Sequence, residues 1–370
     1  MPVAENRTGR GAGFNPANRF EPIAVEPDPD WDPAEERPLR TQFLRDLSQT
    51  VISYNDSPDI PFRASLNPYR GCEHGCAYCY ARPTHEYLGF SAGLDFESRI
   101  MVKEQAPELL RRELSSKKWE PQWIALSGVT DPYQPIEKQL KITRRCLEVL
   151  AEFRNPVCIV TKNRLVTRDI DLLRELAKHN AVCVYLSLTT LRSDLRRNLE
   201  PRTASPPARL EAIRVLAEAG IPVGVLTAPI IPGLNDDEIP ALLNAAALAG
   251  ARFASFVMLR LPLTVRPLFE EWLERCVPER KEKVLNQLRS MRDGKLNSPR
   301  FGDRMRGHGI LADQIRQLFR VSARKAGLDE HGPELSNAAF RRPGGRQLEL
   351  LTGKPTAPAL EGIILPRTGF

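Results

Sequence analysis

Residues 156–190 read PVCIVTKNRLVTRDIDLLRELAKHNAVCVYLSLTT. The two apolar runs at its ends, PVCIVTK and AVCVYLSLTT, have the length and composition of buried strands. The segment between them, RDIDLLRELAKHN, has the apolar spacing of an amphipathic helix. Because strands that are apolar throughout are typical of parallel sheets covered by helices, this stretch predicts one β/α unit of an α/β protein.

The same alternation repeats along the middle of the chain. Further strands are predicted for QWIALSG, IPVGVLTAPI and RFASFVMLRL, and further helices for residues 136–153, 206–220 and 236–250. With one more strand near a cysteine-rich loop, the repeat amounts to about six β/α units, fewer than the eight of a closed barrel. We therefore expect an α/β fold with a partial (β/α)6 TIM-like barrel. An open doubly wound sheet is the alternative, although no Gly-x-Gly-x-x-Gly follows the first strand.

The two ends of the chain differ from this middle part. Residues 1–39 are polar, rich in Pro and Gly, and without periodicity, which predicts a disordered N-terminal arm or an arm that becomes ordered on a partner. The barrel is expected over residues 40–265, and long helices predict a helical C-terminal extension over residues 266–340. Residues 341–370 are rich in Gly and Pro and are expected to form an irregular tail.

One predicted helix of the extension, residues 310–327, carries arginines at four-residue intervals. Arg316, Arg320 and Arg324 lie on a different face from the predicted apolar stripe. Such a ladder is usually a solvated face, and a phosphate-binding face is the alternative.

Composition narrows the protein class. The chain has 370 residues, 42% hydrophobic content and a net charge of +7. It has no apolar stretch long enough to span a membrane and no apolar core of a secretory signal at its start, so we expect a cytoplasmic protein with reduced cysteines. The basic charge permits a polyanionic partner but does not require one, because 46 acidic residues are interspersed.

The stretch SLNPYRGCEHGCAYCYAR, residues 65–82, carries three of the seven cysteines in a C-x3-C-x2-C pattern. A zinc site built on Cys72, Cys76 and Cys79 needs a fourth ligand, such as His74 or His85, and zinc ligands usually come as two separated pairs. A [4Fe–4S] cluster accepts three ligands from one short loop and leaves its fourth iron open to a small molecule. The other four cysteines occur singly in apolar segments and are interpreted as core residues.

The C-x3-C-x2-C spacing, with Tyr78 just before the last cysteine, resembles the signature of the radical S-adenosylmethionine (SAM) superfamily. The resemblance implies a [4Fe–4S] cluster on Cys72, Cys76 and Cys79, with SAM bound to the fourth iron. It further implies reductive cleavage of SAM to a 5′-deoxyadenosyl radical, which abstracts hydrogen from a substrate. Members commonly have a partial (β/α)6 barrel, and they imply an external reductant, for which we expect a flavodoxin- or ferredoxin-type protein.

A narrower resemblance covers residues 65–263. The stretches YRGCEHGCAYCYAR, GVTDPYQPIEK, VTKNRLVTRDIDLL and TAPIIPGLND are similar to the spore photoproduct lyase-like (DNA repair photolyase-like) branch. This resemblance implies that Lys162 meets the methionyl carboxylate of SAM and that Ser187 meets its ribose. It also makes Tyr78 and Tyr80 the aromatic pair beside the third cysteine, with a catalytic role. From the residues alone, Lys162 is equally a solvated lysine, Ser187 a turn hydroxyl, and the tyrosines packing residues.

The segment SGVTDPYQP, residues 127–135, follows a predicted strand. In the superfamily this position contacts the methionine amino group, which makes Thr130 and Asp131 candidates, while Asp131 before a proline is also a common turn-opening residue. Thymine-dimer lyases of the branch carry a cysteine just before this segment, as the hydrogen-atom donor. Here Ser127, Gly128 and Val129 provide no thiol, and an O–H bond does not replace a weak S–H bond in that role.

We therefore expect a radical SAM enzyme acting on another substrate, with nucleic acid favoured by the family and the charge. The alternative is a nucleic-acid-binding protein with a structural metal in the cysteine loop and no radical chemistry.

Overall fold

The computed structural model describes residues 9–21 and 39–343. Ten strands occur in these residues, numbered in chain order. They are β1 (Gln42–Arg45), β2 (Ile52–Tyr54), β3 (Ala64–Leu66), β4 (Tyr69–Arg70), β5 (Arg99–Val102), β6 (Ile124–Leu126), β7 (Val157–Thr161), β8 (Val182–Ser187), β9 (Val223–Ile230) and β10 (Phe253–Met258).

The same residues contain twelve α-helices and several short 3₁₀ turns. The helices are α1 (Leu94–Ser98), α2 (Ala106–Ser115), α3 (Glu137–Leu140), α4 (Ile142–Phe153), α5 (Ile170–Ala177), α6 (Ser193–Leu199), α7 (Pro206–Glu218), α8 (Ile239–Leu248), α9 (Val265–Cys276), α10 (Pro278–Ser290), α11 (Asp303–Arg306) and α12 (Ile310–Lys325). None of these helices is both long enough and apolar enough to cross a membrane.

The main sheet has seven strands in the order β10-β9-β8-β7-β6-β3-β2. The six strands from β3 to β10 pair in parallel, and β2 is antiparallel at the edge. This order follows the chain without reversal, as in a barrel wound in one direction, whereas a doubly wound sheet reverses its order near the middle. The partial (β/α)6 barrel is confirmed, and the doubly wound alternative is wrong. A small second sheet, β1-β5-β4, pairs β1, which precedes the barrel strands, with β4 and β5 from the segment between β3 and β6.

The two faces of the barrel strands have different surroundings. Ile159 and Val184 are register partners on β7 and β8, and both are fully buried on the outer face. Their chain neighbours Val160 and Tyr185, also partners, are partly exposed. Because successive side chains of a strand point to opposite faces, the inner face lines a lumen that is open to solvent.

The described part of the N-terminal region is ordered against the barrel. Arg10 is 6% exposed, and the backbone N–H groups of Gly11 and Ala12 donate to the Glu97 carboxylate at 3.0 and 2.8 Å. The expectation of a disordered arm over residues 1–39 is therefore wrong for residues 9–21, while residues 1–8 and 22–38 lie outside the described residues. The composition is polar, but it does not show that one distant carboxylate satisfies these backbone groups.

Helices α9 to α12 form the predicted helical extension, with a break before Pro278. After α12 the chain crosses the N-terminal ends of the barrel strands. The backbone N–H groups of Asp329, Ser336 and Arg341 each donate at 2.9 Å, to the carbonyls of Arg252, Asn180 and Phe153. This segment closes the floor of the lumen, which leaves the opposite, C-terminal face as its entrance. Of the expected irregular tail, only residues 341–343 are described.

Candidate active site

The cysteine loop begins just after β3 and β4, at the C-terminal face of the barrel. Cys72 and Cys76 are buried and Cys79 is partly exposed. Gly71 and Gly75 have φ angles of +79° and +63°, a conformation that favours glycine and lets the loop curl. A Cβ on Gly71 would lie 2.9 Å from the Phe96 carbonyl oxygen, so the loop also needs glycine there for close approach.

The three thiols of this loop form one electrostatic group. Their charges interact with one another, and burial raises the pKa of each thiol. Buried thiols remain protonated until a cation binds them, and coordination to a metal then deprotonates them. Among the residues that the structure describes, no three His, Cys, Asp or Glu side chains are grouped closely enough to hold a single metal ion. Three thiols from one short loop fit a [4Fe–4S] cluster, which accepts three ligands from such a loop.

The two histidines considered as a fourth zinc ligand have other neighbours. His74 is buried, with Nδ1 3.3 Å from Asp131 Oδ2. The ring of His85 packs 5.3 Å from that of Phe90 and 5.6 Å from that of Phe96. The structure therefore provides no observation in favour of a closed four-ligand zinc site.

A buried carboxylate supports the loop from behind. Glu97 is fully buried and accepts hydrogen bonds from the Arg82 guanidinium and from the N–H groups of Gly11 and Ala12. Arg82 also donates to the carbonyl of Cys76 at 2.9 Å. Glu97 therefore connects the cysteine loop to the N-terminal segment, a role that no sequence signal indicated.

Lys162 and Ser187, both implied by the family resemblance and placed at predicted strand ends, are in contact. Lys162 Nζ donates to Ser187 Oγ at 2.6 Å and to the carbonyl of Ala228 at 3.2 Å. The same Nζ lies 5.5 Å from the centroid of the Tyr78 ring. Three of the sequence-predicted residues thus meet at one side of the lumen entrance.

Glu200 is the centre of this contact and was missed by the sequence analysis. It is fully buried, lies 3.1 Å from Lys162 Nζ, pairs with Arg209, and accepts a hydrogen bond from the Tyr78 hydroxyl. Burial alone would raise the pKa of Glu200, but the charges of Arg209 and Lys162 outweigh burial and lower it. Glu200 therefore stays ionised and holds Lys162 in place. A single glutamate before a proline has no pattern that distinguishes it from a surface residue.

Thr130 connects the cysteine loop to the strand ends. Its hydroxyl donates to the carbonyl of Gly71 at 2.7 Å and accepts from the amide of Gln134 at 3.2 Å. Gln134 in turn accepts from the N–H of Glu73, inside the loop, at 2.9 Å. The Thr130 side chain is thus engaged with the loop.

The Asp131 carboxylate is likewise engaged with protein donors. It accepts from Thr161 Oγ1 at 2.7 Å, the N–H of Lys162 at 2.8 Å and the N–H of Tyr133 at 2.9 Å. Burial would raise its pKa, but the nearby His74 and these hydrogen bonds lower it. The contact with Tyr133 is the turn-opening contact considered as an alternative. Asp131 joins the ends of β6 and β7 below the cysteine loop.

The two tyrosines beside the third cysteine differ in their surroundings. Tyr78 is buried next to Glu200, whereas Tyr80 is 49% exposed at the lumen entrance. The Tyr80 hydroxyl donates to the Gly128 carbonyl at 2.5 Å, and the guanidinium of Arg260 lies 5.4 Å from the centroid of its ring. Tyr80 therefore covers the segment that lacks the branch's cysteine.

Two of the four cysteines outside the loop differ from the core interpretation. Cys146 and Cys183 are buried, as expected, but Cys158 and Cys276 are partly exposed. Cys158 is the register partner of Cys183 on the neighbouring strand. Since Cys158 shares a face of β7 with Val160, its side chain lines the lumen, one strand layer further from the entrance than Val160.

Comparison with known proteins gives the class. A family model described as Radical SAM superfamily matches residues 66–246. An uncharacterized protein of Methanocaldococcus jannaschii is 32% identical over 222 residues, which cover 60% of this chain and 79% of the relative. The chain belongs to the Radical SAM superfamily, a family of enzymes that use a [4Fe–4S] cluster and SAM.

The more similar relatives lead no further toward a reaction. An uncharacterized protein of Mycobacterium tuberculosis is 39% identical over 222 residues, which cover 60% of this chain and 65% of the relative. The chain thus matches slightly less than two thirds of the length of that relative. A spore photoproduct lyase variant, solved with bound AdoMet and dinucleoside spore photoproduct, has a TM-score of 0.55 and 16% identity, and the match covers 78% of this chain and 80% of that chain. The fold is therefore that of spore photoproduct lyase, as the resemblance predicted.

Proposed function

We propose that this chain holds a [4Fe–4S] cluster on Cys72, Cys76 and Cys79 and binds SAM against Lys162 and Ser187. When bound, the cluster and SAM supply a 5′-deoxyadenosyl radical that abstracts hydrogen from the substrate. The observation that carries this proposal is the position of three thiols from one loop, two buried and one partly exposed, beside a lysine at the lumen entrance. The charge of Lys162 acts directly on the thiols of Cys76 and Cys79, which supports a common site.

The chain's own residues would bind and orient the cofactor. The ammonium of Lys162 would offer its positive charge to an incoming carboxylate, and Glu200 restricts where that ammonium points. The Ser187 hydroxyl, held at 3.2 Å from the Ala228 carbonyl, would meet a ribose hydroxyl. Thr130 and Asp131 would hold the loop and the strand ends in register, and any contact with the methionine amino group would come from this segment. Tyr78 would orient Lys162 through Glu200, and Tyr80 would face the substrate.

We propose nucleic acid as the substrate class. The related fold of spore photoproduct lyase binds a dinucleoside lesion, and this chain carries a net charge of +7. Reversal of a thymine dimer is not proposed, because no thiol lies at Ser127–Val129 beside the loop. All seven cysteines are free, which fits a reducing cytoplasm and reduction of the cluster by a flavodoxin- or ferredoxin-type protein.

Anaerobic reconstitution with iron and sulfide tests this proposal. We expect about four irons per chain, a charge-transfer band in the visible spectrum, and release of 5′-deoxyadenosine after addition of a reductant and SAM. Cys76→Ala should lose the band and the product, whereas Cys276→Ala, a partly exposed cysteine outside the loop, should keep both. Binding of one zinc ion with no 5′-deoxyadenosine would overturn the proposal in favour of a structural metal site.

A further inference from the structure

Two arginines at the lumen entrance have no carboxylate partner among the described residues. Arg260 follows β10, and Arg292 follows α10. Arg292 is 1% exposed, and one of its terminal nitrogens donates to the carbonyl of Leu259. Its Nε and other terminal nitrogen, and Nε of Arg260, are buried without a hydrogen-bond partner. A guanidinium of this kind is unusual, because buried charges in proteins are normally paired.

Burial and nearby positive charge lower the pKa of both guanidinium groups. Burial, and then the charge of Arg260, lower the pKa of Arg292 to about 10, so it remains a cation at neutral pH. Asp59 is the acid whose charge acts on Arg260, but Asp59 accepts from Nε of Arg304 at 2.7 Å. The buried guanidinium of Arg292 is therefore repelled by the partly buried guanidinium of Arg260, and neither has an acid of its own among the described residues. An anion bound between them would offset the repulsion and would accept hydrogen bonds from the unpaired nitrogens.

Their position connects them to the cysteine loop. Arg260 lies over the exposed ring of Tyr80, which directly follows Cys79. The charge of Arg304 also acts on Arg260, and Arg304 lies 4.7 Å from the ring centroid of Phe301, which is 58% exposed. Arginines therefore alternate with exposed aromatic rings along this edge. This combination suits a ligand that carries both phosphate groups and planar rings.

We infer that Arg260 and Arg292 form a phosphate-binding subsite, in which a phosphate-ester oxygen of the substrate accepts hydrogen bonds from the unpaired guanidinium nitrogens. The inference rests on the proposed function, because it names the group of the nucleic-acid substrate that binds beside the cysteine loop. Guanidinium groups suit this task, since their planar donors match two oxygens of one phosphate. The ring of Tyr80 then offers a stacking face for the neighbouring base.

Thermal unfolding of the reconstituted protein tests the subsite without turnover. Inorganic phosphate should raise Tm relative to chloride at equal ionic strength in the wild type, because a ligand that binds only the folded state stabilises it. Arg260→Met and Arg292→Met should lose this shift. Arg320→Met removes the same charge from an exposed position on α12 and should keep it. Without phosphate, Arg292→Met should be no less stable than the wild type, because it removes an unpaired buried charge.

Binding of a fluorescent single-stranded oligodeoxynucleotide identifies the source of the phosphate. Each of the two variants should weaken binding about ten-fold and reduce the salt slope by about one, and Arg320→Met should change neither beyond about two-fold. Competition by thymidine 5′-monophosphate as strong as that by the oligonucleotide would overturn the assignment to a nucleic-acid strand. If inorganic phosphate raises the Tm of the wild type and of both variants equally, the subsite itself would be overturned. If Arg292→Met does not fold, Arg292→Lys, which keeps the charge but not the planar donors, should still lose most of the phosphate shift.

The tests of the phosphate subsite can fail or succeed independently of the test of the proposed radical chemistry. Cluster absorbance should be unchanged in Arg260→Met and Arg292→Met, since in the described part of the chain no hydrogen bond or ion pair joins either arginine to the cysteine thiols or Lys162. If the wild type releases no 5′-deoxyadenosine but the phosphate effects remain, the radical chemistry fails and the subsite stands. If the variants lose the cluster, the arginines support the fold of the loop and the subsite is overturned.

Discussion

Lys162 and Ser187 are 25 positions apart in the chain, yet Nζ of the lysine lies 2.6 Å from the serine hydroxyl. Lys162 directly follows β7 and Ser187 ends β8, and these two strands are neighbours in the sheet. The carboxyl ends of parallel strands meet at one edge, which is where barrel enzymes place their sites. The contact therefore makes the two residues candidates for a single ligand, and Glu200 fixes the lysine between them.

Lys162→Met tests that shared ligand. We expect the affinity of the reconstituted protein for SAM to fall about ten- to hundred-fold, which corresponds to the loss of a charge-assisted hydrogen bond of about 1.5–3 kcal/mol. Equilibrium dialysis with labelled SAM measures the change. Lys178→Met, an exposed lysine paired with Glu175, is the matched control. Equal affinity in both variants would remove Lys162 from the site.

Glu200→Gln tests the buried centre of the network. Its substitution leaves Arg209, whose side chain is 1% exposed, without a carboxylate, and breaking such a buried pair costs about 3–5 kcal/mol. Denaturant unfolding under anaerobic conditions measures the free energy of unfolding. Glu218→Gln, which breaks an exposed pair with Arg214, should change it by less than about 1 kcal/mol.

The ionised state of Glu200 also predicts a pH dependence. Because the folded-state pKa is lowered, its stabilising contribution is complete above the unfolded value of about 4.3 and is lost as the pH falls through the lowered value. The difference in unfolding free energy between the wild type and Glu200→Gln should thus shrink only under strongly acidic conditions. A difference that disappears near neutral pH would contradict an ionised Glu200.

His85 predicts a second pH effect, in a different range. Burial lowers the pKa of His85 to about 4, so between pH ~6.5 and ~4 the unfolded chain binds a proton that the folded protein does not. Stability should fall as the pH decreases across this range, by up to about 3 kcal/mol from this group. His85→Phe, which keeps a ring between Phe90 and Phe96, should flatten the dependence. Phe90→Leu changes the same packing without removing the histidine and should retain the wild-type slope.

Gly11→Ala tests the link between the N-terminal segment and the cysteine loop. A Cβ on Gly11 would lie 1.8 Å from the carbonyl oxygen of Gly75, which is backbone and cannot move aside without displacing the loop. We expect faster proteolysis of the segment and loss of iron during gel filtration. In Gly13→Ala the new Cβ meets only the flexible carboxylate of Glu271, so iron should be retained. Equal iron content in the two variants would show that the segment does not support the loop.

The barrel was predictable because its signal is local and repeated. Each unit carries its own apolar strand and amphipathic helix, and the six parallel strands occur where these patterns predicted them. Lys162 and Ser187 were singled out by the family resemblance, and the strand patterns added only that both lie on the C-terminal face of the barrel. The cysteine spacing alone indicated a site with one open position. None of these inferences required knowledge of which distant residues are in contact.

The residues that sequence reasoning missed are single charged side chains whose role depends on distant partners. Glu97 satisfies backbone groups of Gly11 and Ala12, 86 and 85 positions away, and Arg292 is buried without an acid. In the sequence these residues look like surface charges, because burial and pairing arise only when separate segments pack together. The sequence by itself therefore determined the barrel, the cysteine loop and the strand ends, through short-range periodicity and spacing. Only the tertiary structure decided the ordered N-terminal segment, the Glu200 network and the unpaired arginines, since the free energy of a buried charge depends on neighbours that are remote in the chain.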